Sequence, residues 1–182
     1  MAVKTFTTGE VLTASDTNTY LNNGGLVYIT STTIGSAVSS VTVSNVFSST
    51  YDAYQIVISG GVGSTRTGLF LQLGSSTTTY YQHLIYGLYS SGAYANVTNN
   101  NTTGYWQYAG TANTSTLAMS AFVNNPNLSK YTTFSAPFMQ DDAAGQVSGI
   151  HQSNTAYTGF VVGPMTGTIT GGTIIVYGYR KA

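Results

Sequence analysis

No cysteine occurs in the 182 residues, and only 5% of them carry a formal charge. The first absence removes a disulfide framework, a zinc knuckle, an iron-sulfur cluster and a thiol nucleophile. The second is the odder one, because ordinary domains carry about 25% charged residues. Five basic side chains balance five acidic ones, so the basic surface that nucleic-acid binding requires is missing. High-charge disorder is excluded too, since 42% hydrophobic residues can build a core. No apolar run approaches the roughly 20 residues of a membrane-spanning helix. No apolar stretch follows the opening Met-Ala-Val-Lys, so synthesis in a cytoplasm without a signal peptide is expected. Asn-x-Ser/Thr triplets begin at Asn96, Asn100, Asn101, Asn113 and Asn127. A chain this rich in Asn, Ser and Thr produces them by chance.

The few charges are unevenly spread. Lys4, Arg180 and Lys181 sit near the chain ends, none lies between Arg66 and Lys130, and none between Asp142 and Arg180. A folded protein of 19.1 kDa exposes about 8,400 Å² by the surface scaling law. Ser, Thr, Asn, Gly and Tyr must therefore cover the outside. Zero net charge also removes the repulsion that keeps molecules apart. Much of this surface is expected to be covered by neighbouring subunits.

What is abundant is short apolar alternation, broken by Gly, Ser, Asn and Thr clusters. It runs through Leu26 to Thr30, Ala37 to Phe47, Ala53 to Ser59, Leu69 to Gly74 and Tyr80 to Tyr89. Trp106 with Tyr108, Leu117 to Val123, Phe134 to Phe138, Val147 to Ile150, Tyr157 to Val162, Gly167 to Thr170 and Thr173 to Tyr179 continue it. Tyr54, Ile56 and Ile58, set against Gln55, Val57 and Ser59, are what a strand with one face on a core produces. Eight to eleven such strands without helical periodicity predict an all-β protein, an antiparallel β-sandwich or jelly roll, over residues 26–182. The glycine- and asparagine-rich stretches Gly60 to Gly68 and Gly92 to Gly104 read as exposed loops. No internal repeat is present that would build a fibre shaft.

Residues 1–25 behave differently. Thr13 and Asp16 have capping-box spacing, and Asn22, Asn23 and Gly24 provide a stop. This predicts an N-terminal arm with one helical turn or a short helix. A helix that short is marginal alone, so Phe6, Val11, Leu12, Tyr20 and Leu21 need a surface. That surface is either their own sandwich or another chain.

Chemistry is sparse. The two histidines, His83 and His151, have no second ligand nearby, so no metal and no cofactor are expected. There is no Gly-x-Ser-x-Gly elbow, and adjacent Asp141 and Asp142 would point to opposite faces of a strand. Paired catalytic carboxylates are therefore not written, and no enzyme is expected. Gly60, Gly61 and Gly63 lack the lysine and the following helix of a phosphate cradle. Aromatic side chains concentrate in the middle third. Tyr80 and Tyr81 are neighbours in sequence and cannot both face inward, so some of these rings are expected on the surface. Tyr80, Tyr89, Tyr94, Trp106 and Tyr108 are the candidates for partner contact or glycan stacking.

Three segments carry a resemblance. FTTGEVLTASDTNTYLNNG, from Phe6, resembles the arm that begins many tailed-phage structural proteins. VSNVFSSTYDAYQIVISG, from Val43 to Gly60, resembles a strand-turn-strand segment of the same virion proteins, and the terminal GGTIIVYGYRKA looks like their closing strand. The resemblance implies a virion component with a β-sandwich body and no catalytic residues. A capsid decoration or cement protein needs only a compact sandwich and an arm. A homotrimer gripping the major capsid protein through Phe6 to Leu21 is therefore expected. A small tail-fibre or adaptor module, in contact with tail proteins, is the alternative within that class. Outside it stands a lectin-like module, binding a host surface glycan on Trp106 and the flanking tyrosines.

Overall fold

Alternation explains most of the strands. A computed structural model describes residues 7–11, 13–16 and 25–181. Among these the chain is almost wholly antiparallel β, with one helical turn at α1 (Ala14–Asp16). The strands are β1 (Leu26–Thr33), β2 (Val41–Val43), β3 (Tyr51–Gly63), β4 (Thr67–Leu73), β5 (Tyr80–Leu88) and β6 (Tyr94–Asn100). They continue with β7 (Trp106–Asn113), β8 (Thr116–Asn124), β9 (Thr132–Gln140), β10 (Ala143–His151), β11 (Phe160–Pro164) and β12 (Ile169–Arg180). In β3 the side chains of Tyr54, Ile56 and Ile58 are buried, while Gln55 and Val57 stay half-buried on the opposite face.

Pairing is nested. β3 pairs β12, β4 pairs β11, β5 pairs β10 and β7 pairs β8, the pattern of one long hairpin rolled up, as in a jelly roll. The roll makes two layers. One runs β2-β11-β4-β7, and the other β1-β12-β3-β8-β9-β10-β5-β6. They join at β8. Its Met119–Asn124 stretch pairs β3 on one edge, while the other edge pairs β7 over Thr116–Met119 and β9 over Phe122–Asn124. The two strands on that shared edge diverge into the two layers.

Between the layers lies the core. Leu69, Leu71 and Leu73 of β4 are fully buried, as are Ile174 and Val176 of β12. Each such side chain contributes roughly 1.5–3 kcal/mol by leaving water. Rings hold the layers together: Trp106 stacks on Phe134 at 4.8 Å, and Phe47 meets Tyr54 at 4.7 Å. The Tyr54 hydroxyl accepts the Ser48 N–H at 2.8 Å and donates to the Ser48 carbonyl at 2.9 Å, closing the loop into β3.

Five segments differ from the sequence expectation. Gly92 to Gly104 contains β6, because Tyr94, Asn96 and Thr98 pair with Gly87, Ile85 and His83. Buried Asn99 then organises the turn, its Oδ1 accepting the Thr102 N–H at 2.8 Å. Gly60 to Gly68 is mostly strand, with only Ser64 to Arg66 between β3 and β4. Its Gly61 serves close packing, since a Cβ there would lie 2.2 Å from the Gly171 carbonyl oxygen of β12. Ala37 to Phe47 yields only three-residue β2 and a Val38–Ile169 bridge. Gly167 to Thr170 and Thr173 to Tyr179 fuse into β12, across Gly171 and Gly172 at positive φ, a conformation glycine adopts without strain.

Candidate functional site

Residues directly opposite in a ladder point to the same side, so the register defines the outward face of the larger layer. One row crosses all eight strands: Tyr28, Tyr177, Gln55, Phe122, Ser135, Ser148, His83 and Thr98. Beside it lie Ser31, Ile175, Val57 and Ser120 at one end, and Pro137, Gln146, Ile85 and Asn96 at the other. None of these positions carries Asp, Glu, Lys or Arg.

The charges are elsewhere. Asp52 pairs Lys181 at 2.8 Å, at the ends of β3 and β12, and Arg66 pairs Asp142 across two turns. Exposed apolar side chains show the opposite preference. Leu26, Tyr28, Ile85, Tyr94, Phe122 and Met139 all stand exposed on this face. Their rings are in contact across strands, with Phe122 6.2 Å from Tyr179 and Tyr28 6.2 Å from Tyr177. Depletion of charge with enrichment of aromatics and Met is the compositional mark of an interface core.

At strand spacing of about 4.8 Å and ~3.3 Å rise per residue, eight strands of seven residues present roughly 38 by 23 Å. That is about 900 Å² per molecule, close to the ~800 Å² each partner contributes to a standard-size stable interface.

The aromatic candidates divide sharply. Tyr89 and Tyr94 are exposed, with Tyr94 on the outward face opposite Gly87. Trp106 and Tyr80 are not surface residues: both are fully buried, Tyr80 meeting Trp106 edge-on at 5.2 Å. Their position follows from β7 lying beneath β9, β10 and β5, so the indole fills the space between layers rather than stacking on a sugar. Burial pushes the Tyr80 phenol well above the ordinary tyrosine range, and its oxygen accepts the Leu73 N–H at 2.8 Å. His151 packs edge-on against Tyr80 at 4.4 Å, with Nε2 2.9 Å from Ser76 Oγ. Its burial favours the neutral imidazole and lowers its pKa. Tyr108 is half-buried, on a bulge of β7.

Of the arm candidates, Val11 is 80% exposed and does not dock on its own sandwich. Phe6, Leu12, Tyr20 and Leu21 lie outside the described residues. Among the described residues no three His, Asp or Glu side chains gather as a metal site. Phe122, Ile85, Tyr177 and Met139 were not singled out from sequence. Each occupies the polar-phase position of its strand, and that alternation was the available signal. Comparison with protein-family models, curated proteins and solved structures finds no match to this chain.

Proposed function

We propose that this chain is a non-enzymatic structural subunit of a viral particle, a capsid decoration or cement protein whose working form is packed among other subunits. The observation that supports this most is the eight-stranded outward face, whose cross-strand row and the positions beside it carry no charge. Such a face repels nothing, is rich in exposed apolar rings, and is large enough for a stable contact with a second copy of the same chain. The arm of tailed-phage type, with Val11 held clear of the sandwich, supplies a second point of attachment to the shell. The mechanism is mass action. A protein that binds only the assembled shell stabilises it by RT ln(1 + [L]/Kd), about 2.7 kcal/mol per site at a hundredfold excess over Kd.

The test is immunogold electron microscopy of particles made in cells that express the chain. Regular decoration of heads, lost on deletion of residues 1–24, supports the proposal. Gold confined to tails identifies the tail-adaptor alternative, and particles that carry no gold at all refute the structural reading.

A further inference from the structure

On the inner side of the larger layer, a cavity of about 150 Å³ lies between the layers, walled by Tyr86, Tyr108, Phe138 and Leu88. Arg66, Gln140 and Asp142 stand at its mouth. A wider depression of about 390 Å³ adjoins it, on the side of Met165 and Thr166, and shares Arg66, Gln140 and Tyr108. Tyr108 therefore belongs to both spaces.

Its placement is built at a cost. Leu69 pairs Gly110 and Leu71 pairs Trp106, so one residue of β4 faces three of β7, and β7 bulges. Tyr108 sits in that bulge at φ 58°, the one aromatic residue at positive φ among the described residues. A bulky side chain in that region costs roughly 1–3 kcal/mol and persists only where its surroundings impose it. Two features impose it. Buried Gln82 of β5 holds both backbone groups of Gln107, its amide nitrogen donating to the carbonyl at 3.2 Å and its oxygen accepting the N–H at 2.5 Å. Gly68 leaves room for the ring, since a Cβ there would lie 2.7 Å from Tyr108 Cδ1. The ring then meets Phe138 edge-on at 5.6 Å. Bulges often re-aim a side chain toward a binding site.

Opposite the rings the polar groups are planar and complementary. Arg66 Nη2 donates to Gln140 Oε1 at 3.1 Å and pairs with the Asp142 carboxylate. The mouth thus offers guanidinium donors, carboxylate acceptors and an amide that is both. An anionic ligand would meet Asp142 beside Arg66 and lose the attraction of an unpaired cation. A wholly apolar ligand would take Arg66, Gln140 and Asp142 out of water without adding a hydrogen bond to any of them. A neutral polyol uses everything present: its apolar C–H face lies on an aromatic ring, and its hydroxyls both donate to Asp142 and accept from Arg66. We infer that this cleft is a binding site for a neutral saccharide, one or two pyranose rings in size, with Tyr108 as stacking platform and Arg66, Gln140 and Asp142 as hydroxyl partners. The site is separate from buried Trp106 and from the assembly face.

Saturation-transfer NMR with the full chain tests it, using methyl glycosides of glucose, galactose, mannose and N-acetylglucosamine, and N-acetylneuraminate as the anionic probe. At least one neutral glycoside binds in the millimolar range or tighter. Tyr108→Ala and Arg66→Met each weaken it about tenfold or more, while Ile85→Ser on the outward face leaves it unchanged. Arg66→Met removes only exposed contacts, to Gln140 and Asp142, and leaves the core untouched, so it remains informative if the Tyr108 variant misfolds. No transfer to any neutral glycoside overturns the inference. So does binding of N-acetylneuraminate alone, strengthened by Asp142→Asn, which would make the cleft an anion site.

Discussion

Replacing Gln82 by methionine releases the β7 bulge. The two side chains have similar volume, so the substitution opens no cavity, and its effect is carried by hydrogen bonds. Gln107 loses the acceptor for its N–H and the donor for its carbonyl. Each buried backbone group left without a partner costs about 1–3 kcal/mol. Partial access of water at half-buried Gln107, together with relaxation of strained Tyr108, offsets part of this. A net loss of roughly 2–4 kcal/mol follows, which in a chain of this length lowers Tm by about 4–16 °C at ~2–4 °C per kcal/mol. Urea unfolding at equilibrium measures the free energy, and tyrosine near-UV dichroism reports the environment of Tyr108. A change within about 0.5 kcal/mol, the scatter of ordinary surface substitutions, with an unaltered near-UV spectrum, would refute the view that Gln82 holds the bulge.

Other consequences are equally specific. Gly149→Ala places a methyl 2.7 Å from Trp106 Nε1 and from the Tyr81 carbonyl oxygen, so thermal unfolding should show a destabilisation of about 1–3 kcal/mol by overpacking. Tyr54→Phe removes the hydroxyl that bonds the Ser48 N–H and carbonyl, and denaturant titration should give a loss of roughly 1–3 kcal/mol. The lowered pKa of His151 means that the unfolded chain binds the extra proton more readily than the folded one. Stability from this residue is therefore complete above the unfolded value near pH 6.5 and falls as pH drops below it, at up to about 1.4 kcal/mol per pH unit. Urea midpoints between pH 7 and pH 5 should show that slope, and His151→Gln should flatten it.

How much of this could be read from the chain depends on where periodicity survives. β3 was legible because Tyr54, Ile56 and Ile58 alternate without interruption, and the all-β antiparallel architecture follows from many such runs. β6 was not, because YANVTNN has few apolar residues and is a strand through its ladder to β5. Trp106 was misplaced for a topological reason: nothing local says that β7 will lie beneath β9 and β10. The bulge at Tyr108 also breaks the alternation that would have linked Trp106 to the residues after it. The outward face was half visible. The scarcity of charge was plain, but its absence from the middle of the outward face appears only once the register sets Phe122 beside Gln55 and His83 beside Ser148. The cleft joins residues from the β3–β4 turn, β5, β7 and the β9–β10 turn, so no sequence spacing could have gathered them.

Sedimentation velocity of the purified chain, over a wide concentration range and beside the Phe122→Lys/Ile85→Lys double variant, tests the central claim most directly. Both substitutions are at exposed outward positions and leave the core untouched. The account predicts concentration-dependent association of the unaltered chain, and a folded, monomeric variant with nearly the same Tm, since buried unpaired charges oppose association. A chain that sediments as a monomer at every concentration, or a variant that associates just as strongly, would contradict it.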